Sequence, residues 1–170
     1  MEESVKTGDE TVKDERQADA GLGDCISRAF SLPEKDWSLY SPLTLAYIGD
    51  CVYDLVIRTV LVKQSNRPTD TLHRETVSMV RAVAQSEAAA RLQEAFTPQE
   101  MAIYRRGKNA KPRTMSKHAS RREYLQATGL EAVLGFLYLD GQYERLVELI
   151  RMAVGYNGEN LYGKKQSRQA

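Results

Sequence analysis

The stretch SPLTLAYIGDCVYDLVIRTVLV, residues 41–62, decides the architecture. Ser41 followed by Pro42 is a helix start. Serine suits the N-cap, and proline at the first helical position gives up an N–H that would have no partner there. From Leu43 to Val62 apolar residues dominate most of the helix circumference, which marks a central helix rather than a surface one. The polar exceptions Asp50, Asp54 and Arg58 recur every four residues and form one stripe. Leu45, Ile48, Val52, Leu55 and Val56 surround Asp50 on this helix.

Outward from this helix, Arg67-Pro68-Thr69 is the next break. Leu72, Thr76, Met79, Val80 and Val83 then recur at three- and four-residue steps, predicting an amphipathic helix, and Ser86 to Ala95 predicts another, rich in alanine. Thr97-Pro98-Gln99-Glu100 is a capping box that opens a helix ending near Gly107. Residues 108–120 carry breakers and no apolar period, so they read as a loop. A helix from about Glu123 to Leu139, the turn Asp140-Gly141 and a last helix carrying Leu146, Leu149, Ile150 and Ala153 complete the pattern, which stops at Gly155. A short helix is expected at Asp24–Phe30, ahead of Pro33. No stretch alternates as a strand would, and the predicted fold is all-α. The expected organisation is a mostly disordered acidic tail at 1–35, one folded domain at 36–155, and a flexible basic tail at 156–170.

Composition is that of a globular protein: 170 residues suffice for one domain with a real core. The longest apolar run, Ala132 to Leu139, is far too short to span a bilayer, and the N-terminus lacks the apolar segment of a secretory signal. Cys25 and Cys51 stand apart, as reduced thiols do, so a cytoplasmic protein without a membrane partner is expected. The net charge of +1 conceals an asymmetry. Seven acids fall within the first twenty residues, whereas Arg105 to Arg122 holds eight Lys and Arg and no acid. A polyanion would feel that patch. Arg105, Arg106, Lys108, Asn109, Lys111 and Arg113 are the candidate RNA-binding residues. With tyrosines only at its edges, the patch suits contact with a duplex backbone better than stacking on single-stranded bases.

Asp50 and Glu131 are the candidate residues for chemistry. Glu131 lies in TGLEAVLGFLYL, the most apolar helix of the chain. A carboxylate in such a helix needs a basic partner, a proton or a bound cation, because burying it bare costs several kcal/mol. Arginine partners for both acids, and Arg58 for Asp54, are the structural alternatives to a metal site. Small neighbours, Ala46 and Gly49 beside Asp50 and Gly129 and Ala132 beside Glu131, leave room for another helix or a ligand to approach. His73 and His118 lack partners at helical metal-ligand spacing, and no serine or cysteine has a supporting dyad.

In their order, LAYIGDCVYD (45–54), PTDTLH (68–73), RRGKNAK (105–111) and TGLEAVLGFLYLDG (128–141) resemble the ribonuclease III catalytic domain, specifically its minimal form, Mini-ribonuclease III. The likeness spans about Leu39 to Val154. It implies a homodimeric all-helical endonuclease that takes double-stranded RNA as substrate and Mg²⁺ as cofactor. It further implies catalytic and metal-binding roles for Asp50 and Glu131, and a place in maturing the precursor of large-subunit (23S) ribosomal RNA. Two positions depart from the full ribonuclease III signature. Ala46 stands where an acid precedes the Asp by four residues, and Thr128 where an acid precedes the Glu by three. A catalytically inactive relative that holds RNA or a ribosome is the alternative these departures suggest. The dimer is also expected because the helices at 43–62 and 129–139 carry more apolar surface than a single domain would cover.

Overall fold

A computed structural model describes residues 21–111, 120–158 and 161. The chain divides into two units, Met1–Pro33 and Glu34–Ala170. In the first, the helix α1 runs from Leu22 to Ala29. Asp24 reaches back to accept the Gly21 N–H at 2.9 Å, and Ser31, with φ 51°, follows its end. Leu22, Ile26 and Phe30 lie four residues apart and are exposed.

The second unit is a helical domain. A 3₁₀ turn at Trp37–Leu39 precedes α2 (Pro42–Gln64), α3 (Thr69–Val80), α4 (Ala82–Leu92), α5 (Pro98–Lys108), α6 (Arg121–Leu139) and α7 (Tyr143–Ala153). The described residues contain no strand. The centre is α6, against which α2, α4, α5 and α7 all pack. It is enclosed nearly all round, with Leu130, Val133, Leu134 and Leu137 at 0% exposure. Burying each of these leucines stabilises the fold by about 2 kcal/mol. Residues 129–139 therefore leave little apolar surface over, contrary to the sequence expectation. Among the uncovered apolar residues are Leu43, Tyr47, Leu55 and Val62 on α2, with Leu39, Val77, Val147 and Met152 exposed elsewhere in the domain.

Glycines set how closely the helices approach. A Cβ on Gly49 would stand 1.8 Å from the Glu131 carbonyl oxygen, and one on Gly135 would stand 1.9 Å from that of Leu45. Where α2 crosses α6, backbone thus meets backbone. Gly107 does the same for α5, its Cβ position lying 2.8 Å from the Gly129 Cα.

Local signals start and stop the elements. Thr97 and Glu100 form the expected capping box on α5, and Ser120 and Glu123 form a second on α6. Gly107 proves to be inside α5, which ends at Lys108 with Asn109 as its C-cap. The break between α3 and α4 falls at Arg81, whose backbone is extended, so Val83 belongs to α4 and not to the helix before it. No Gly or Pro marks this break. The Gln85 side chain donates to the Val80 carbonyl at 2.8 Å, filling the place of a helical N–H. Across the core, the Ser86 hydroxyl donates to Gln126 at 2.6 Å. Glu100, 3% exposed at its side chain, pairs with Arg145 at 2.9 Å, and Arg145 also donates to the Ala95 carbonyl.

Candidate active site

The α2–α6 crossing positions the two candidate carboxylates. Gly49 rests on the backbone of Glu131, so Asp50, the next residue on α2, emerges on the flank of the crossing beside Glu131. Asp50 opens to solvent and Glu131 is partly buried. The pair is electrostatically coupled. Burial pushes the Glu131 carboxyl up to about 7, with the Asp50 charge adding to the rise and the Gln85 amide opposing it. Asp50 is raised for the same leading reason, with Asp54 adding and Gln85 again opposing.

Neither acid has an ion-pair partner among the described residues, whose salt bridges are Arg58–Asp54, Arg67–Glu75, Arg145–Glu100 and Arg145–Glu148. Arginine pairing therefore accounts for Asp54, held by Arg58 at 2.5 Å, but not for Asp50 or Glu131. Two neighbouring carboxylates without a counter-cation, one resisting ionisation, are a poised site for a hard cation with oxygen ligands. The described residues contain no group of three or more His, Cys, Asp or Glu side chains placed to hold a metal. The positions that depart from the fuller acidic signature do not compensate. Ala46 is buried, and the buried Thr128 turns its hydroxyl back to the Tyr124 carbonyl at 2.9 Å.

Sequence reading missed Gln85. It is 1% exposed, on α4, and its amide acts on both acids. The only signal is a polar residue where small ones dominate: Ala82, Ala84, Ala88 and Ala89 share its helix.

The basic segment is divided in function. Arg105 is exposed on the last turn of α5, with Lys108, Asn109 and Lys111 following it. Arg106 is engaged within the domain, donating to the carbonyls of Ser38 and Tyr40. Arg113 and His118 lie outside the described residues.

These features define a class. Residues 43–142 match the family model of the Ribonuclease III domain, and the chain belongs to that family of endoribonucleases. Its relatives within the family are Mini-ribonuclease 3 proteins. That of Thermoanaerobacter sp. (strain X514) is 47% identical over 114 residues, covering 67% of this chain and 80% of the relative. That of Clostridium tetani (strain Massachusetts / E88) is 36% identical over 137 residues, covering 80% and 87%. The crystal structure of protein FN1578 from Fusobacterium nucleatum is similar with a TM-score of 0.65 and 30% identity, over 72% of this chain and 98% of that one.

Proposed function

We propose that the chain hydrolyses phosphodiester bonds of double-stranded RNA with magnesium, as a homodimer, and that its substrate is the precursor of large-subunit 23S ribosomal RNA. The observation that carries the reading is the pairing of Asp50 with Glu131 across two crossing helices, with no cationic partner among the described residues. Two carboxylates fit magnesium, which takes oxygen ligands and keeps several waters of its own. When bound, the ion supplies activation of a water and stabilisation of charge on the phosphate. Asp50, open to solvent, faces the substrate side, and Glu131 anchors the site from the protected side. Glu131, whose carboxyl resists ionisation, would give up its proton to serve as a ligand if a divalent cation were held there. Exposed Arg105, Asn109 and Lys111, with Lys108, grip the phosphate backbone, and Arg113 extends the same segment.

The dimer is supported by the exposed stripe on α2, where Leu43 and Tyr47 lie one turn apart and Tyr47 is 79% exposed. A two-fold axis along such a stripe presents one site to each strand of a duplex. The reaction belongs in the cytoplasm, with its RNA; among the described residues no helix is long and apolar enough to cross a membrane. The second reading, an inactive domain that only holds RNA or a ribosome, rests on Ala46 and Thr128.

One experiment separates the two: a gel assay of the pure chain on a long RNA duplex, with and without Mg²⁺, beside Asp50→Asn. The expected result is cleavage of both strands that needs Mg²⁺ and falls by more than about a hundredfold in the variant, beyond the cost of losing a merely supporting group. Failure of the wild type to cut, with duplex binding intact, would establish the inactive reading instead.

A further inference from the structure

The motif PTDTLH, residues 68–73, opens α3 and takes no part in the carboxylate pair. Its side chains line one wall of a cavity of about 420 Å³ between α2 and α3. Leu61 and Thr76, both buried, form the floor. The rim is exposed and polar, with Arg58 from α2 and Thr69, Asp70 and His73 from α3. This cavity continues the candidate active site, because Asp50, Asp54 and Arg58 form one stripe along α2 and Arg58 donates to Asp54. Along the helix Arg58 lies about 12 Å from Asp50, at roughly 1.5 Å per residue. Only a few phosphates of one strand fit within such a span.

Arg58 gives its Nε to Asp54, and both of its terminal nitrogens are without a partner among the described residues. A guanidinium held at its root with its fork open suits a phosphate. Asp70 is the more informative residue. Among the described residues it has no ion pair or hydrogen bond. An acid beside a phosphate chain repels it unless the chain offers a donor, because a carboxylate only accepts. The sugar–phosphate backbone has one donor, the ribose 2′-hydroxyl, and DNA lacks it. We propose that the cavity between α2 and α3 is a ribose–phosphate subsite that tells RNA from DNA. Arg58 takes a backbone phosphate, with the His73 ring N–H beside it, and Asp70 accepts a 2′-hydroxyl of the same strand. Asp54 then serves to orient Arg58. The inference rests on the reading of the chain as a nuclease of double-stranded RNA.

The test uses the full-length chain in a chelating buffer, where binding is read without cleavage. An RNA duplex and a DNA duplex of matching sequence are titrated at several salt concentrations, with circular dichroism showing each variant folded. Arg58→Gln should weaken RNA binding about tenfold and make its salt slope shallower by about one unit. Asp70→Ala should lower the ratio of RNA to DNA affinity about tenfold, the worth of one hydrogen bond to a charged group. Asp70→Asn, which keeps an acceptor oxygen, should restore most of that ratio. The sign of the Asp70→Ala effect is decisive. Removing an acid that merely sits on the surface strengthens the binding of any polyanion, so tighter binding of both duplexes overturns the inference. Weakening of both by one factor overturns it too, because it would reduce Asp70 to support for the first turn of α3. So does an unchanged affinity and slope in Arg58→Gln. A wild type that binds RNA and DNA equally overturns this inference alone, whereas one that binds no RNA duplex would sink the functional reading itself, and this inference with it.

Discussion

Replacing Glu131 by glutamine should make the metal-free protein more stable while removing its activity. Burial, with the Asp50 charge behind it, raises this carboxyl from 4.5 to about 7. At roughly 1.4 kcal/mol per pH unit this corresponds to about 3 kcal/mol of destabilisation when the group is ionised. Partial access to solvent reduces this to roughly 2 kcal/mol. The sign follows from proton binding. Unfolded, Glu131 loses its proton near 4.5; folded, it keeps it to about 7. Between those values the folded chain holds more protons, so wild-type stability falls as pH rises through that window and carries the full penalty above it. Glutamine copies the protonated acid at all pH values. In a chelating buffer, wild type and Glu131→Gln should melt together near pH 4.5. By pH 8 the variant should melt roughly 4–8 °C higher, at about 2–4 °C per kcal/mol for a chain of this size. Added Mg²⁺ should narrow or invert the gap, because only the wild type has the second carboxylate to hold it. Thermal melts followed by circular dichroism from pH 4.5 to 8.5 read this directly. A variant less stable than wild type at pH 8 without metal, or a gap that does not change with pH, would refute the account of Glu131 as a strained ionisable group.

Gly135→Ala should cost about 3 kcal/mol or prevent folding, because its Cβ would stand 1.9 Å from the Leu45 carbonyl oxygen and force α2 away from α6; urea denaturation measures it, and a loss below about 1 kcal/mol would show that the crossing can yield. Arg145→Met should cost about 3 kcal/mol at neutral pH by leaving Glu100 charged and buried. Burial pushes Glu100 up, yet the bonds from Arg145 and Thr97 hold it below its ordinary value; without Arg145 burial gains, so the deficit in the melt should shrink as the pH is lowered and the acid takes a proton. Replacing Lys108 and Lys111 together by alanine should weaken duplex binding equally for unrelated sequences and make its salt slope shallower by up to about two units, leaving turnover at saturating RNA little changed. Affinity and slope both unchanged in titrations at several salt concentrations would return that segment to ordinary solvated surface.

The helices were legible where local chemistry marks them. Ser41-Pro42, Thr97-Pro98 and the apolar period of the last helix are statements about neighbouring residues, and they hold in the fold. Two helices were legible here but not the place of the α3–α4 break at Arg81, because the residue that stabilises it acts through its side chain from beyond the break: Gln85 stands in for a missing backbone donor, and no Gly or Pro announces it. Arg106 shows the same limit on the basic segment. Charge and position gave it the same standing as Arg105, but two carbonyls of the 3₁₀ turn region occupy its guanidinium.

By itself the sequence determined that the protein is helical, that Asp50 and Glu131 sit in helices too apolar to hold them idly, and that one segment collects positive charge, since propensity, period and charge are written residue by residue. Small residues beside both acids also hinted at close approach, although the same role for Gly135 and Gly107, the latter read only as a helix end, was not seen. Only the tertiary structure decided which helix lies at the centre, which acids lack a partner and which polar group joins them. Those depend on the crossing of α2 and α6, where a glycine on each helix lets the two backbones touch, and on the docking of α4 that brings Gln85 to the pair. Distances between helices are set by packing across the core, and no local pattern encodes them.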